Sequence, residues 1–457
     1  MPPVPPHKVQ KREKETSAFP TIFMPAPANI PTYRIDMGKP AAERYIELAK
    51  EFAPQMRRVC PLFDEVIVAV FGRKLVGVIK FASRHALRRV FDKEQTKEIK
   101  SIASVAKIET HLLVSLNLFL DLMLGCTSGA ALVRPEPGNR DREDTKGRLM
   151  HFRTLEWGMD ALRELLVILE FVDSSKGDID EVFARSVSYA GFVGCLTGVC
   201  KGLSVSLNFR ANHDCTTNSL RKHQLLVLLG RREAVPSILR RILLNNDIPS
   251  NSLEVPVDNG PAAKNSEKSA LSVTEIAKKF ISIPTSPCYI TLCDGFKVVG
   301  VLKDLYTGKA KKSSLFQVQC NHDPDHKICC GPRTNNSPSE ATQTNILGDQ
   351  IWLHESGLRQ RALEEKWLRY MAAVAKEAGV ELPYQNNGIC LDANTPADSG
   401  IGFEVPGVDE AILQQWIKTY PTTNEYTHFA CIMDPASGTI RWIARGFELS
   451  GLWGSDN

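Results

Sequence analysis

Long apolar runs are missing from this 457-residue chain. No stretch reaches the ~18–20 consecutive apolar residues of a membrane span. The start, Met1-Pro2-Pro3-Val4-Pro5-Pro6-His7-Lys8 and then Lys11-Arg12-Glu13-Lys14-Glu15, has no apolar centre of a secretory signal. A large excess of charge of one sign is missing too, with 56 Lys and Arg against 52 Asp and Glu. The formal net charge is +4, which gives no support for nucleic-acid binding, where a concentrated basic face is the rule. Twelve cysteines are too few in a chain of this length for a disulfide-built scaffold. With no signal in view, most of them are expected to be reduced thiols, and an intracellular compartment is favoured. No internal repeat is visible. What is present, 43% hydrophobic and 24% charged residues, is the composition of a globular protein. The length allows one large domain or two ordinary ones with a substantial core.

Residues 1–28 read as a disordered Pro-rich and charged tail. Order is expected from a short β-like stretch, Ile30 to Asp36, and from a helix over Ala41 to Gln55 introduced by Pro40. Val66 to Phe71 fits strand or helix equally. From Lys97 to Met123 apolar residues recur at three and four, the helical period; the last half is apolar nearly all round, so it is buried in protein or touches lipid. The chain then passes through Leu124-Gly125-Cys126-Thr127-Ser128 into a hairpin whose strands are Ala130–Val133 and Arg148–Arg153, turned at Pro135–Asn139. A helix is expected at Met159–Leu169. Strands follow at Ser186–Gly194 and Leu203–Phe209, with a Gly-rich turn at Thr197-Gly198 between them. Helices are expected near Leu220–Leu229, Pro236–Leu244, Val273–Phe280 and Gly357–Lys376. Further strands are expected at Cys288–Cys293 and Lys297–Lys303 around an Asp294-Gly295 turn, at Phe316–Asn321, and at His428–Met433 and Ile440–Ala444. The fold class is α+β, with a large, mainly antiparallel sheet and helices packed on it.

Several groups could carry chemistry. Cys126 sits where an apolar helix gives way to a hairpin. It is either a small core hydrophobe or, with Arg153 across the hairpin, a thiol nucleophile beside a guanidinium. Cys320, His322, His326, Cys329 and Cys330 look like a metal cluster, but their spacing is not a standard zinc spacing; the other reading is a strand end running into a polar loop. No metal or cofactor is assigned. Lys309-Lys311-Lys312 and Arg231-Arg232 read as solvated basic faces.

Taken in order, these motifs resemble the acid ceramidase and N-acylethanolamine acid amidase family, within the choloylglycine-hydrolase branch of the N-terminal-nucleophile hydrolases. Cys126-Thr127-Ser128 and Gly147–Gly158 match the start of that family's mature β-chain. Ser188–Gly198, Gly202–Asn208 and Val318–Asp323 follow in family order, and Pro31–Asp36 resembles the start of the small α-chain. The resemblance covers about residues 30–370. It implies a four-layer αββα sandwich and self-cleavage at Gly125–Cys126. The division would be a helical α-chain region over 29–125 and a hydrolase β-chain over 126–457, with insertions near 249–270 and 324–350. The partners would be a fatty-acyl amide lipid, a transient membrane or lipid-aggregate contact, and the two fragments of one precursor; no nucleic acid is implied.

Carried over by position, the resemblance implies Cys126 as nucleophile and, once cut, as its own amine base. Arg153 would stand beside it. Glu156 would take the place of an Asp that orients the amine or thiol. Asn208 and Asn321 would donate side-chain N–H groups to the oxyanion. A second arginine would be Arg359, with Arg361 as the alternative. Asn345, in Gln343-Thr344-Asn345, is the alternative to Asn321. The activity implied is hydrolysis of ceramide or an N-acylethanolamine, with the helix over 108–124 forming an acyl channel, a membrane-facing lip or simply core. Phe152 for Gly and Thr154 for Asn would alter the pocket; another N-acyl amide hydrolase or acyltransferase is one alternative, and the longer Glu156 with the missing signal leaves a non-catalytic lipid-binding relative as another.

Overall fold

The computed structural model describes residues 29–61, 76–119, 125–135, 147–177, 180–211, 213–248, 271–323, 350–379 and 406–446. The tail at 1–28, Val66–Phe71, Asn345, and the expected insertions except Gln350 lie outside these residues.

Two sheets face each other. The larger holds eight strands in the order β1-β4-β5-β6-β7-β8-β9-β10. These are β1 (Thr32–Asp36), β4 (Leu166–Val172), β5 (Ala184–Tyr189), β6 (Thr197–Cys200), β7 (Leu203–Phe209), β8 (Cys288–Cys293), β9 (Val298–Lys303) and β10 (Gly308–Ser313). Only β1, at the edge, runs parallel to its neighbour; the other pairs are antiparallel. The smaller sheet is antiparallel, in the order β11-β2-β3-β12-β13. Its strands are β2 (Gly125–Val133), β3 (Arg148–Glu156), β11 (Phe316–Gln319), β12 (Thr427–Asp434) and β13 (Thr439–Arg445).

Helices cover both outer faces. On the larger sheet's side lie α1 (Ile46–Val59), α2 (Val76–Ala86), α3 (Lys93–Ala106), α4 (Thr110–Phe119), α5 (Thr217–Leu228), α6 (Val235–Asn245) and α7 (Val273–Ser282). Against the smaller sheet lie α8 (Gln350–Glu377) and α9 (Glu410–Lys418). There Leu363, Trp367, Met371, Leu413 and Ile417 meet Ala131, Met150, Phe152 and Ile432. The result is the four-layer αββα sandwich. No helix among the described residues is long and apolar enough to cross a membrane.

Alternation along β2 and β3 decides which side chains face which layer. The register pairs Cys126 with Leu155, Ser128 with Arg153 and Ala130 with His151. These six point inward: His151 bridges Ser204 and Ser206 on β7 at 2.8 Å each. Thr127, Phe152, Thr154 and Glu156 point outward, toward α8. Gly129 is needed where β2 and β11 close up, because a Cβ there would lie 2.1 Å from Gln317 O and 2.6 Å from the Phe152 ring.

The structure departs from the sequence expectations at six elements. The helix expected from Lys97 is two helices, since Lys107 takes a left-handed conformation (φ 56°) that closes α3. Both pieces bury the same side, so the apolar period runs across the break. The first helix begins at Ile46 rather than Ala41. Met159–Leu169 is a 3-10 turn, Asp160–Leu165, followed by β4; Leu166 and Val167 are buried in the sheet rather than laid on it. Thr197-Gly198 is strand, not turn, and Gly198 is small because Leu243 of α6 approaches its Cβ position to 2.5 Å. Lys309, Lys311 and Lys312 lie on edge strand β10, where lysines discourage pairing with another chain. α9 was not expected at all.

Candidate active site

Cys126 lies at the head of β2, fully buried between the sheets. Arg153, two positions diagonal on β3, donates from Nη2 to the Cys126 Sγ at 3.0 Å. The same nitrogen donates to Leu207 O at 2.6 Å, and Nη1 donates to Asn208 Oδ1. Ser128 Oγ also donates to that oxygen, at 3.0 Å. Burial pushes the thiol up to about 11, and the Arg153 guanidinium pulls against this without cancelling it. The thiol is therefore protonated and needs a base.

The backbone nitrogen of Cys126 donates to Asn321 Oδ1 at 2.6 Å. Arg359 Nη2 donates to the same oxygen at 3.1 Å, and its Nε donates to Thr127 Oγ1 at 3.2 Å. On the outward face of the small sheet, Glu156 lies 3.8 Å from Arg359 Nε. Both Glu156 carboxylate oxygens are buried without a hydrogen bond. Burial raises the Glu156 pKa, and Arg359 opposes this. The thiol and the carboxylate thus lie on opposite faces of one sheet and meet only through the Cys126 backbone, Asn321 and Arg359. The alternative, Arg361, lies two residues on and donates to Gly357 O within its own helix.

The two asparagines are engaged differently from expectation. Asn208 Nδ2 donates to Gln319 O (2.8 Å) and Cys320 O (3.2 Å), and Asn321 Nδ2 donates to Phe209 O (2.8 Å). Both Asn208 N–H bonds and one from Asn321 thus go to backbone carbonyls. What each offers the site is its oxygen, Asn208 to Arg153 and Asn321 to the Cys126 nitrogen.

Sequence reasoning missed the rest of the surround. Ser356, one turn before Arg359 on α8, accepts from Asn321 N at 2.8 Å; the i, i+3 spacing of Ser356 and Arg359 was the available signal. Tyr189 and His428 were missed as well. His428 Nε2 meets Trp157 O at 3.1 Å. A carbonyl can only accept, so that nitrogen carries the proton, and Tyr189 must donate to Nδ1, 2.8 Å away. Burial holds His428 near 3, hence neutral. Of the residues that looked like a metal cluster, Cys320 lies against Thr127 (3.5 Å) and His322 against Ser356 (2.8 Å); His326, Cys329 and Cys330 lie outside the described residues. No grouping of three or more His, Cys, Asp or Glu among the described residues is arranged to hold a metal.

Two facing sheets hold a cysteine at the head of an inner strand, its nitrogen bound to an asparagine oxygen and its sulfur to an arginine. Residues 28–91 match the family model described as the beta subunit of N-acylethanolamine-hydrolyzing acid amidase. Acid ceramidase of Pan troglodytes is 28% identical over 319 residues, 64% of this chain and 70% of that protein; acid ceramidase of Homo sapiens is 30% identical over 197 residues, 40% and 46%. This chain is thus similar to the acid ceramidases over two stretches of differing length, and to the N-acylethanolamine-hydrolyzing acid amidase family model over residues 28–91.

The match to the Heterocephalus glaber acid ceramidase, like the human one, spans about half of the relative's length (54%). A solved structure of a Caenorhabditis elegans N-acylethanolamine-hydrolyzing acid amidase ortholog aligns at TM-score 0.39 and 18% identity, over 68% of this chain and 93% of that one. The family-model match lies wholly before Cys126, so the piece described as a beta subunit is the one labelled α-chain above. N-terminal and C-terminal fragment are used from here on.

Proposed function

We propose that this chain is a self-processing cysteine amidohydrolase that cleaves the amide of a fatty-acyl lipid, with ceramide as substrate. The observation that carries the reading is at one residue: Cys126 has its nitrogen 2.6 Å from Asn321 Oδ1 and its sulfur 3.0 Å from Arg153 Nη2. Cleavage of Gly125–Cys126 turns that peptide nitrogen into an α-amine with a pKa near ~8. The amine takes the thiol proton as sulfur attacks the substrate carbonyl carbon. The C–N bond then breaks, the sphingoid amine leaves with the proton held by the Cys126 ammonium, and a thioester remains. Water, deprotonated by the same amine, frees the fatty acid and restores the thiol. Arg153 Nε, which has no hydrogen-bond acceptor, is the donor available to the oxyanion. Asn321 and Arg359 orient the amine, and Glu156 balances the buried Arg359 charge.

The N-terminal fragment would be residues 1–125 and the C-terminal fragment 126–457. An N-acylethanolamine is the second reading, favoured by the family model that covers residues 28–91.

The test is intact mass and a denaturing gel, with fatty-acid release from ceramide and from N-acylethanolamine across acid to neutral pH. The expected result is two fragments divided at Gly125–Cys126, with neither the cut nor hydrolysis in Cys126→Ala. A chain that stays whole and releases no fatty acid overturns the proposal.

A further inference from the structure

The carboxylate of Asp323, two residues beyond Asn321, takes three hydrogen bonds from two residues. Arg210 grips it with two donors, Nε to Oδ1 at 2.9 Å and Nη2 to Oδ2 at 2.7 Å. Tyr289 Oη donates to Oδ1 at 2.6 Å. Arg210 Nη1 is anchored in turn on Asp304 Oδ1 (2.8 Å) and Lys303 O (3.1 Å), and the guanidinium lies over the Tyr289 ring, 5.5 Å from its centroid. Arg210 itself is buried. Burial alone would raise the Asp323 pKa, yet the Arg210 and Tyr289 hydrogen bonds hold it below its ordinary value. This is a fully ionised, bidentate pair, the geometry in which arginine and carboxylate fix each other's direction.

Its place in the chain gives it a task. Arg210 follows the end of β7 directly, and three consecutive residues of that strand end lace onto the segment after β11. Asn208 donates to Gln319 and Cys320 carbonyls, Phe209 O accepts from Asn321 Nδ2, and Arg210 closes on Asp323. Asn321 makes the second tie itself, flanked by the other two. Its Oδ1 is the acceptor that holds the Cys126 nitrogen. The edge of the small sheet is thereby fixed to the large sheet at the one point where the amine must be aimed.

We propose that Arg210, acting through Asp323 with Tyr289, is a positioning residue that sets Asn321 Oδ1 against the Cys126 nitrogen. The proposal rests on Cys126 being the nucleophile and its amine the base. Without the clamp, Asn321 drifts and the amine loses its acceptor. A displacement of about 1 Å at such a group costs on the order of 100-fold in rate. An acceptor also favours the protonated form of an amine, so its loss lowers the amine pKa. The limb on which that amine must be free then moves to lower pH.

The experiment uses the full chain after self-cleavage, with ceramide as substrate. It follows Arg210→Gln, Arg210→Lys, Tyr289→Phe and the Cys126→Ala control, reading kcat and KM over pH together with thermal melting. For Arg210→Gln the expected result is a kcat lower by about 100-fold, KM unchanged within about threefold, and the acid limb of kcat/KM shifted down. Arg210→Lys, which keeps the charge but not the fork, should recover part of the loss. A folded Arg210→Gln chain with wild-type kcat and an unmoved limb overturns the proposal, even if it melts earlier. If Arg210→Gln does not fold, Tyr289→Phe decides by the same two readouts, since it removes a single hydroxyl from Asp323. An active wild type with inert Cys126→Ala and unaffected clamp variants overturns the clamp alone. A wild type that neither cuts itself nor hydrolyses ceramide overturns the clamp and the proposed function together.

Discussion

Two fully buried histidines are held neutral by burial. His151 is pinned between two serines, and His428 between Tyr189 and Trp157 O; burial brings both to about 3. A base with a depressed pKa in the folded state contributes stability above its unfolded pKa of about 6.5 and loses it as pH falls toward 3, because the unfolded chain binds the proton first. At pH 5 the loss comes to about 2 kcal/mol per histidine. Urea unfolding at pH 7 and pH 5 should show a clear drop in stability, and His151→Gln should flatten the slope. Within the site, Glu156→Gln should slow appearance of the two fragments at least about tenfold. It leaves the buried Arg359 charge without its counterion, a change that typically costs 3–5 kcal/mol, and Arg359 steadies Asn321. A gel time course and a melting curve read both effects. At this scale the hairpin was legible: Cys126 and Arg153 share a face by simple alternation. Asn208, Asn321 and Arg359 come from three other elements, and no local period joins them; only the collinear family motifs did. The opposite roles of the asparagine oxygens and N–H groups depend on carbonyls of neighbouring strands, which no pattern of side chains reveals.

Among the elements, those with uniform burial read well and those shaped by a close approach did not. β7 and β8, α6 and α7, and the hairpin around Asp294-Gly295 follow their sequence patterns. β6 was taken for a turn because glycine serves both turns and tight packing. α3 and α4 were fused because a two-helix corner keeps one apolar face. β10 was hidden by its lysines, which mark a protected edge rather than a loop. Gly129 gives the sharpest test of a close approach. Gly129→Ala would drive a methyl group into Gln317 O and the Phe152 ring, and overpacking of this kind costs about 1–3 kcal/mol. Because β11 pairs with β2 here and leads directly to Asn321, the same variant should slow the Gly125–Cys126 cut. A Gly129→Ala chain with wild-type urea midpoint and wild-type cutting rate would contradict that account.

Across the whole molecule, the proposed cut divides the chain but not the architecture. The N-terminal fragment contributes β1 to the edge of the large sheet, with Thr32 to Asp36 in parallel register against Ile168 to Val172. Its Glu98, fully buried, is gripped by both terminal nitrogens of Arg240 and by Arg44 Nη1 at 3.0 Å. Gln95 donates to Ser237 at 2.9 Å, and Asn117 takes the Val193 N–H at 2.8 Å. The two fragments should therefore travel together through gel filtration after the cut and separate only in denaturant. Arg240→Ala, which strips a buried carboxylate of its bidentate partner, should let them part at a lower urea concentration.

The parallel pairing of β1 with β4 carries a further meaning for such a divided protein. Parallel neighbours cannot be joined by a tight turn and need a long connection, here the helices and the strands β2 and β3 that carry the Gly125–Cys126 bond. While that bond is whole, the edge strand finds its place at a high effective concentration; once it is cut, the same docking becomes an encounter between two molecules. Assembly then changes kinetic order. The uncut Cys126→Ala chain should regain structure after dilution from guanidinium with a half-time independent of protein concentration, while the cut protein should recover more slowly the more dilute it is. Maturation would make the native state something the protein reaches once, as a single chain, and afterwards retains without an equally ready way back.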